Sequence, residues 1–150
     1  MQGHALGGGL ALGCYADVIV LADESIYSAN FMNYGFTPGF GSTYIIPRKF
    51  GTALGDEMLY SGKNYFGKEL KERGAGVKVE KRNDVLNTAL EIAAELADKP
   101  KLSLALLKSH LTDPDGTGLG NRKRNQDAWQ DFLSTRGGGK NSRQFLRMAG

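Results

Sequence analysis

Gly7-Gly8-Gly9 stands between an extended apolar piece, Ala5-Leu6, and a helix-forming run, Leu10-Ala11-Leu12. Three consecutive glycines let the backbone take dihedrals closed to other residues and let a second group approach closely. A strand that turns through such a triplet into a helix leaves the first helical N–H groups without intrahelical partners and with partial positive charge. Such a turn binds a phosphate, or holds the oxygen of a polarised carbonyl as an oxyanion hole. The triplet is part of a wider excess, since glycine supplies 21 of the 150 residues, 14 % against about 7 % in an average protein. These glycines follow no three-residue period and only four prolines accompany them, which excludes collagen and Pro/Gly low complexity.

The dinucleotide reading of the turn fails on spacing. Gly7-x-Gly9-x-x-x-Gly13 approximates a Rossmann fingerprint, but Asp23 follows only 16 residues after Gly7. The intervening helix holds barely two turns, whereas the fingerprint needs a longer helix and an acid about 20 residues on. The oxyanion reading is left as the sharper one.

The chain is long enough for one domain with a sizeable core, and 41 % of its residues are hydrophobic. Its longest apolar run, Val18-Ile19-Val20-Leu21-Ala22, falls far short of the roughly 18 residues a membrane helix needs. No basic segment followed by an apolar one opens the chain, so no secretion signal is read. One cysteine, Cys14, excludes an internal disulfide and fits a reducing cytoplasm. A cytoplasmic protein without a membrane partner is the expectation.

Val18 to Leu21 reads as a buried strand and Ser25 to Ala29 as a second. Thr52 to Tyr60 suits a helix ending at Gly62, and Gly67 to Arg73 another ending at Gly74. Val77 and Val79 make a short strand. Asp84 is placed as an N-cap ahead of Val85, Ala89, Ile92 and Leu96, which share one helix face. Pro100 ends that helix and starts a second, striped by Leu104, Leu107 and Leu111. A loop over 112–120 and an amphipathic segment around Trp129, Phe132 and Leu133 follow. Gly116 to Gly120 and Gly137 to Gly139 read as loop and linker.

Residues 121–150 hold seven Lys/Arg against two Asp, while the whole chain is +3. A basic tail of this kind is a solvated helix face or a phosphate contact. No zinc spacing and no aromatic RNA-binding pattern accompanies it, so no nucleic-acid partner is expected.

The stretch from Gln2 to Gly9, continued by Cys14-Tyr15-Ala16-Asp17-Val18-Ile19-Val20, resembles the crotonase (enoyl-CoA hydratase/isomerase) superfamily. So does Tyr34-Gly35-Phe36-Thr37-Pro38-Gly39-Phe40-Gly41-Ser42-Thr43, at the distance where that family carries its second signature. The run Asn30 to Gly39 is most similar to the decarboxylating enoyl-CoA hydratase-like enzymes of polyketide β-branching, which remove CO2 from a 3-methylglutaconyl-type thioester. The resemblance runs from Met1 to about Leu111.

It implies an α/β fold: a partial ββα spiral of the crotonase (ClpP-like) type over residues 1–80, then a helical C-terminal trimerisation region over 81–150. It makes Gly8 the backbone donor to the thioester oxygen, with His4, Ala5, Leu6, Gly7, Phe31 and Pro38 shaping the substrate pocket. Decarboxylation or proton transfer beside a thioester builds an enolate, so a fixed donor at that oxygen is what the chemistry requires. The substrate would be an acyl group carried on CoA or on the phosphopantetheine of an acyl carrier protein, with no metal and no other cofactor.

The resemblance also exposes gaps. The two glutamate positions of hydrating members fall, by register, on Ala11 and Phe31. Neither transfers a proton, so water addition by the usual route is not expected. An apolar residue at 31 makes a drier pocket, which favours losing carboxylate charge as CO2. The decarboxylating branch uses a lysine from an N-terminal half, together with a second oxyanion donor, and a histidine that aligns near Ala128-Trp129-Gln130. Neither is present, and the chain reads as a C-terminal fragment with a sheet edge and a core face left to associate. His4 and His110 are the only histidines. His4 is read mainly as packing in the turn, and His110 as a core or helix C-terminal residue. Cys14 reads as a small buried residue; Tyr27, Asn30 and Tyr34 are further pocket candidates, with aromatic packing an equal explanation for the two tyrosines, and Trp129 reads as a core residue. The alternative to a lyase is an incomplete family member that binds thioesters or partner subunits without turnover.

Overall fold

β1 (Ala5–Leu6) runs through Gly7 into α1 (Gly8–Cys14) in the computed structural model, which describes residues 1–112. Strand alternation holds even in this short piece, with Ala5 buried and Leu6 exposed. β2 (Val20–Ala22) and β3 (Ile26–Ser28) follow, then a 3₁₀ turn over Asn30–Tyr34. Next come α2 (Ser42–Phe50), α3 (Thr52–Ser61), β4 (Tyr65–Phe66) and α4 (Gly67–Glu72). β5 (Lys78–Glu80), α5 (Val85–Ala97) and α6 (Lys101–Leu111) complete the α/β order. Two compact units divide the chain, Met1–Leu96 and Ala97–Gly150. Trp129, the 128–130 position, the later glycine groups and the basic segment 121–150 lie outside the described residues.

Two small sheets organise the first unit. β1 pairs parallel with β3, Ala5 opposite Tyr27 and Leu6 opposite Ser28, and β4 pairs antiparallel with the other edge of β3. β2 and β5 form a separate parallel pair, Val20 opposite Lys78 and Ala22 opposite Glu80. The strand expected over Val18–Leu21 is therefore shifted, because pairing with β5 begins only at Val20 and leaves Val18 exposed.

The main core gathers Leu10, Cys14, Leu21, Tyr27, Ile46, Phe50, Met58, Tyr65 and Leu70 from helices and both sheets. A smaller one forms where Val85, with Ala89 and Ile92 beside it, packs on Val20 and Ala22 of β2. The expected stripe of α5 is thus used at its N-terminal end, while Leu96 is exposed. The helix ends follow their punctuation: Gly62 and Gly74 take φ of +57° and +80°, which other residues adopt only at a cost. Pro100 sits immediately before α6, and its carbonyl accepts the Leu104 N–H at 3.1 Å.

α2 was not expected. Thr43, Ile45 and Ile46 are poor helix formers and Pro47 lies inside the helix. Packing overrides propensity here, because Ser42, Ile45, Ile46 and Phe50 put one face into the core.

Candidate active site

The glycine turn is fixed from both sides. Gly7 has φ +51° and donates its N–H to the Ser28 carbonyl at 2.8 Å, extending the β1–β3 ladder by one residue. Its own carbonyl accepts the Ala11 N–H at 3.1 Å, the first bond of α1. Gly8 is the first helical residue, and among the described residues neither its N–H nor that of Gly9 meets a backbone acceptor. These are the orphan donors of a helix start.

Three residues from further along the chain crowd this turn. A Cβ on Gly7 would stand 3.0 Å from Asn30 Oδ1 and 3.8 Å from Phe31 Cε1. A Cβ on Gly8 would stand 3.1 Å from Phe40 Cε2 and 3.2 Å from its Cδ2. The two segments singled out in the sequence, around Gly8 and over 30–43, therefore meet in space. The second is shaped by two successive left-handed residues, Phe40 at φ +53° and Gly41 at φ +63°. The Tyr15 hydroxyl donates to the Phe40 carbonyl at 2.9 Å, and the Ser42 hydroxyl and N–H both bond to the Gly39 carbonyl.

The other expected site residues fall in different places. His4 is exposed, and its Nδ1 accepts the Ile26 N–H at 2.9 Å, so the ring's proton is carried at Nε2. That bond fastens the start of β3 beside β1. Ala5 turns into the core, Leu6 faces outward, and Pro38 is half-buried in the loop before α2. Ala11 is fully buried in α1 and Phe31 half-buried at the 3₁₀ turn, so no carboxylate stands at either position. Tyr27, a further candidate, is instead a core residue: its hydroxyl donates to the Met1 carbonyl and accepts the Ala22 N–H, each at 2.8 Å. Tyr34 ends the 3₁₀ turn exposed, and His110 lies in the last turn of α6, at the helix C-terminal position expected of it. Phe40 was missed as a neighbour of the turn, and Tyr15 as the residue bonded to its carbonyl. Both lie within the two stretches that carry the family resemblance, and Phe40 is set between two glycines, Gly39-Phe40-Gly41.

Cys14 is buried, and loss of solvation pushes its thiol up to about 11 despite the opposing charge of Lys49. It is thereby kept protonated and inert. A separate open cleft of about 350 Å³ is lined by Asp23, Glu24, Phe66, Lys68, Glu69 and Glu72, away from the glycine turn. A hydrogen bond with Glu24, and burial, raise the Asp23 carboxyl above its ordinary value; the same bond lowers Glu24, whose Oε2 accepts the Arg82 N–H at 3.0 Å. Four carboxylates against one lysine make this cleft unsuited to an anionic substrate. Among the described residues no cluster of three His, Cys, Asp or Glu is arranged to hold a metal, and no helix is long and apolar enough to cross a membrane.

The family model for enoyl-CoA hydratase/isomerase matches residues 1–141. The bacillaene synthase decarboxylase PksI of Bacillus subtilis (strain 168) is 51 % identical over 114 residues, covering 76 % of this chain and 46 % of that protein. A solved structure from a dehydratase/decarboxylase enzyme couple involved in polyketide β-branching superposes with a TM-score of 0.74 at 51 % identity, over 76 % of this chain and 50 % of that one. The ECH2 decarboxylase domain of CurF from Lyngbya majuscula gives 0.72 at 45 % identity, over 89 % of this chain and 53 % of that one. The chain thus spans about half the length of the relatives it matches. With the match running through both glycine-rich segments and the fold that joins them, the chain belongs to the enoyl-CoA hydratase/isomerase family.

Proposed function

We propose that the chain carries the enolate-stabilising part of a crotonase-family lyase acting on acyl thioesters, most like the decarboxylation of a 3-methylglutaconyl-type thioester in polyketide β-branching. The carrying observation is the meeting of the Gly7–Gly8 turn with Phe31 and Phe40, in a chain 51 % identical to a bacillaene synthase decarboxylase. When the bond to CO2 breaks, its electron pair moves into the thioester carbonyl and the oxygen gains charge. The Gly8 N–H is the donor proposed to meet that charge. A donor aimed there typically lowers the barrier by about 2.7–4 kcal/mol. Phe31 and Phe40 offer apolar surface beside the turn, and a substrate that covers it would lose water around its carboxylate, which favours neutral CO2. Leu6, Pro38 and the turn glycines would line the acyl group; His4 and Ala5 would act indirectly, by holding the strand that ends in the turn.

The acyl group would arrive on an acyl carrier protein or on CoA, with no further cofactor. Assembly as a homotrimer, in the cytoplasm, belongs to the same proposal. CO2 release from a 3-methylglutaconyl carrier-protein substrate by the purified chain tests it, and no release at any enzyme concentration defeats the activity claim for this chain. One observation favours a second reading, binding without turnover: Ala11 and Phe31 supply no proton donor beside the turn. Retained binding of the carrier-protein thioester without CO2 would identify that case.

A further inference from the structure

We propose that Phe40 sets the size of the acyl group that the glycine turn admits, with Tyr15 as the residue that positions it. The proposal rests on the thioester reading above and adds a specificity determinant to it.

Phe40 occupies the left-handed region at φ +53°, where a bulky residue is uncommon and strained. The glycines on either side of it would take that conformation freely. The Tyr15 hydroxyl secures it, donating to the Phe40 carbonyl at 2.9 Å. The same hydroxyl oxygen fills the place a Cβ on Gly41 would need, so the next position must be glycine for the loop to close on Tyr15.

The result of this loop is the placement of one phenyl ring. It lies where a side chain on Gly8 would begin, 3.1–3.2 Å from the ideal Cβ. In a helix the Cα–Cβ bond tilts toward the N-terminus, so the ring stands at the same end of α1 as the unpaired Gly8 N–H. Yet Phe40 as a residue is 65 % exposed, so burial in the core is not what keeps the ring there. With Phe31 beside Gly7, two phenyl groups flank the turn, in a segment from Ser25 to Pro47 that contains no charged residue. An acyl chain approaching Gly8 meets the edge of Phe40, and the bulk at position 40 limits how far that chain extends.

The test compares binding of two probes, S-acetyl-pantetheine and S-octanoyl-pantetheine, to the full chain and to Phe40→Ala, Phe40→Trp and Tyr15→Phe. Phe40→Ala should raise relative affinity for the octanoyl probe by about tenfold or more, the scale on which apolar pockets discriminate chain length. Phe40→Trp should move the ratio the other way. Tyr15→Phe should move it as Phe40→Ala does, by less, with the thermal midpoint and near-ultraviolet dichroism retained. A ratio unchanged in both Phe40 variants, with both probes still bound, overturns the proposal and leaves the thioester reading standing. Failure of the unaltered chain to bind either probe overturns both. A ligand-free measurement is decisive if Phe40→Ala does not fold: the Gly8 Hα protons should carry a ring-current shift that Phe40→Leu abolishes, and Hα shifts unchanged by Phe40→Leu overturn the proposal.

Discussion

Pro47 of α2 and Gly55 of α3 meet backbone to backbone: a Cβ on Gly55 would stand 2.5 Å from the Pro47 Cα and 2.8 Å from its nitrogen. The helix interrupted by proline is accepted because its neighbour has no side chain at the crossing. Gly55→Ala should therefore lower the unfolding free energy by about 1–3 kcal/mol, the usual cost of overpacking. Gly9→Ala is the contrast, since nothing lies within 4 Å of its Cβ and it sits inside α1. It should leave stability unchanged or raise it by up to about 1 kcal/mol. Urea unfolding of both variants checks the pair, and equal effects would contradict the packing argument.

Glu57 links α3 to α4 through a two-pronged bond with Arg73, at 2.8 Å and 2.6 Å, and accepts the Tyr65 hydroxyl at 3.0 Å. Arg73 first, then Tyr65, holds the Glu57 carboxyl down at about 2 in place of 4.5. A carboxyl lowered by folding contributes its stability fully above its unfolded value and loses it as pH falls through the folded one. The fold should therefore lose stability between about pH 4.5 and 2 on account of this group, the loss tempered by solvent because both partners are exposed. Glu57→Gln should reduce the slope of stability against pH in that window while leaving the other acids' contributions. An identical slope would contradict the assignment.

Cys14 reports on the core. With its thiol buried and pushed up to about 11, alkylation at pH 8 should be slow in the native protein and rapid in denaturant. Native labelling should follow unfolding, slowing as stabilising conditions are applied. Labelling at the rate of an exposed thiol would show that α1 does not pack as described.

Much of the fold was legible because its ends are marked. Gly62, Gly74 and Pro100 bound α3, α4 and α6 by backbone geometry that depends on one residue each. α2 was illegible for the opposite reason: Thr43, Ile45, Ile46 and Pro47 argue against a helix locally, and only contact with Gly55 and the core decides the matter. The site divides in the same way. Gly7, Gly8 and Phe31 were readable from the glycine pattern and the family resemblance. Tyr15 and Phe40 were not, because a hydroxyl-to-carbonyl bond across 25 residues has no signature in spacing. For Tyr27 the sequence left pocket lining and core packing open, and its burial with a hydroxyl shared between Met1 and Ala22 decides for the core.

The central claim is that the Gly8 N–H is the donor to a thioester oxygen, and amide NMR observes that group directly. Titrating the ¹⁵N-labelled chain with S-acetyl-pantetheine should move the Gly8 amide proton downfield in a saturable manner, with smaller shifts at Gly7 and Phe31. A saturable response elsewhere in the spectrum with Gly8 unmoved, or no response at all, would contradict it.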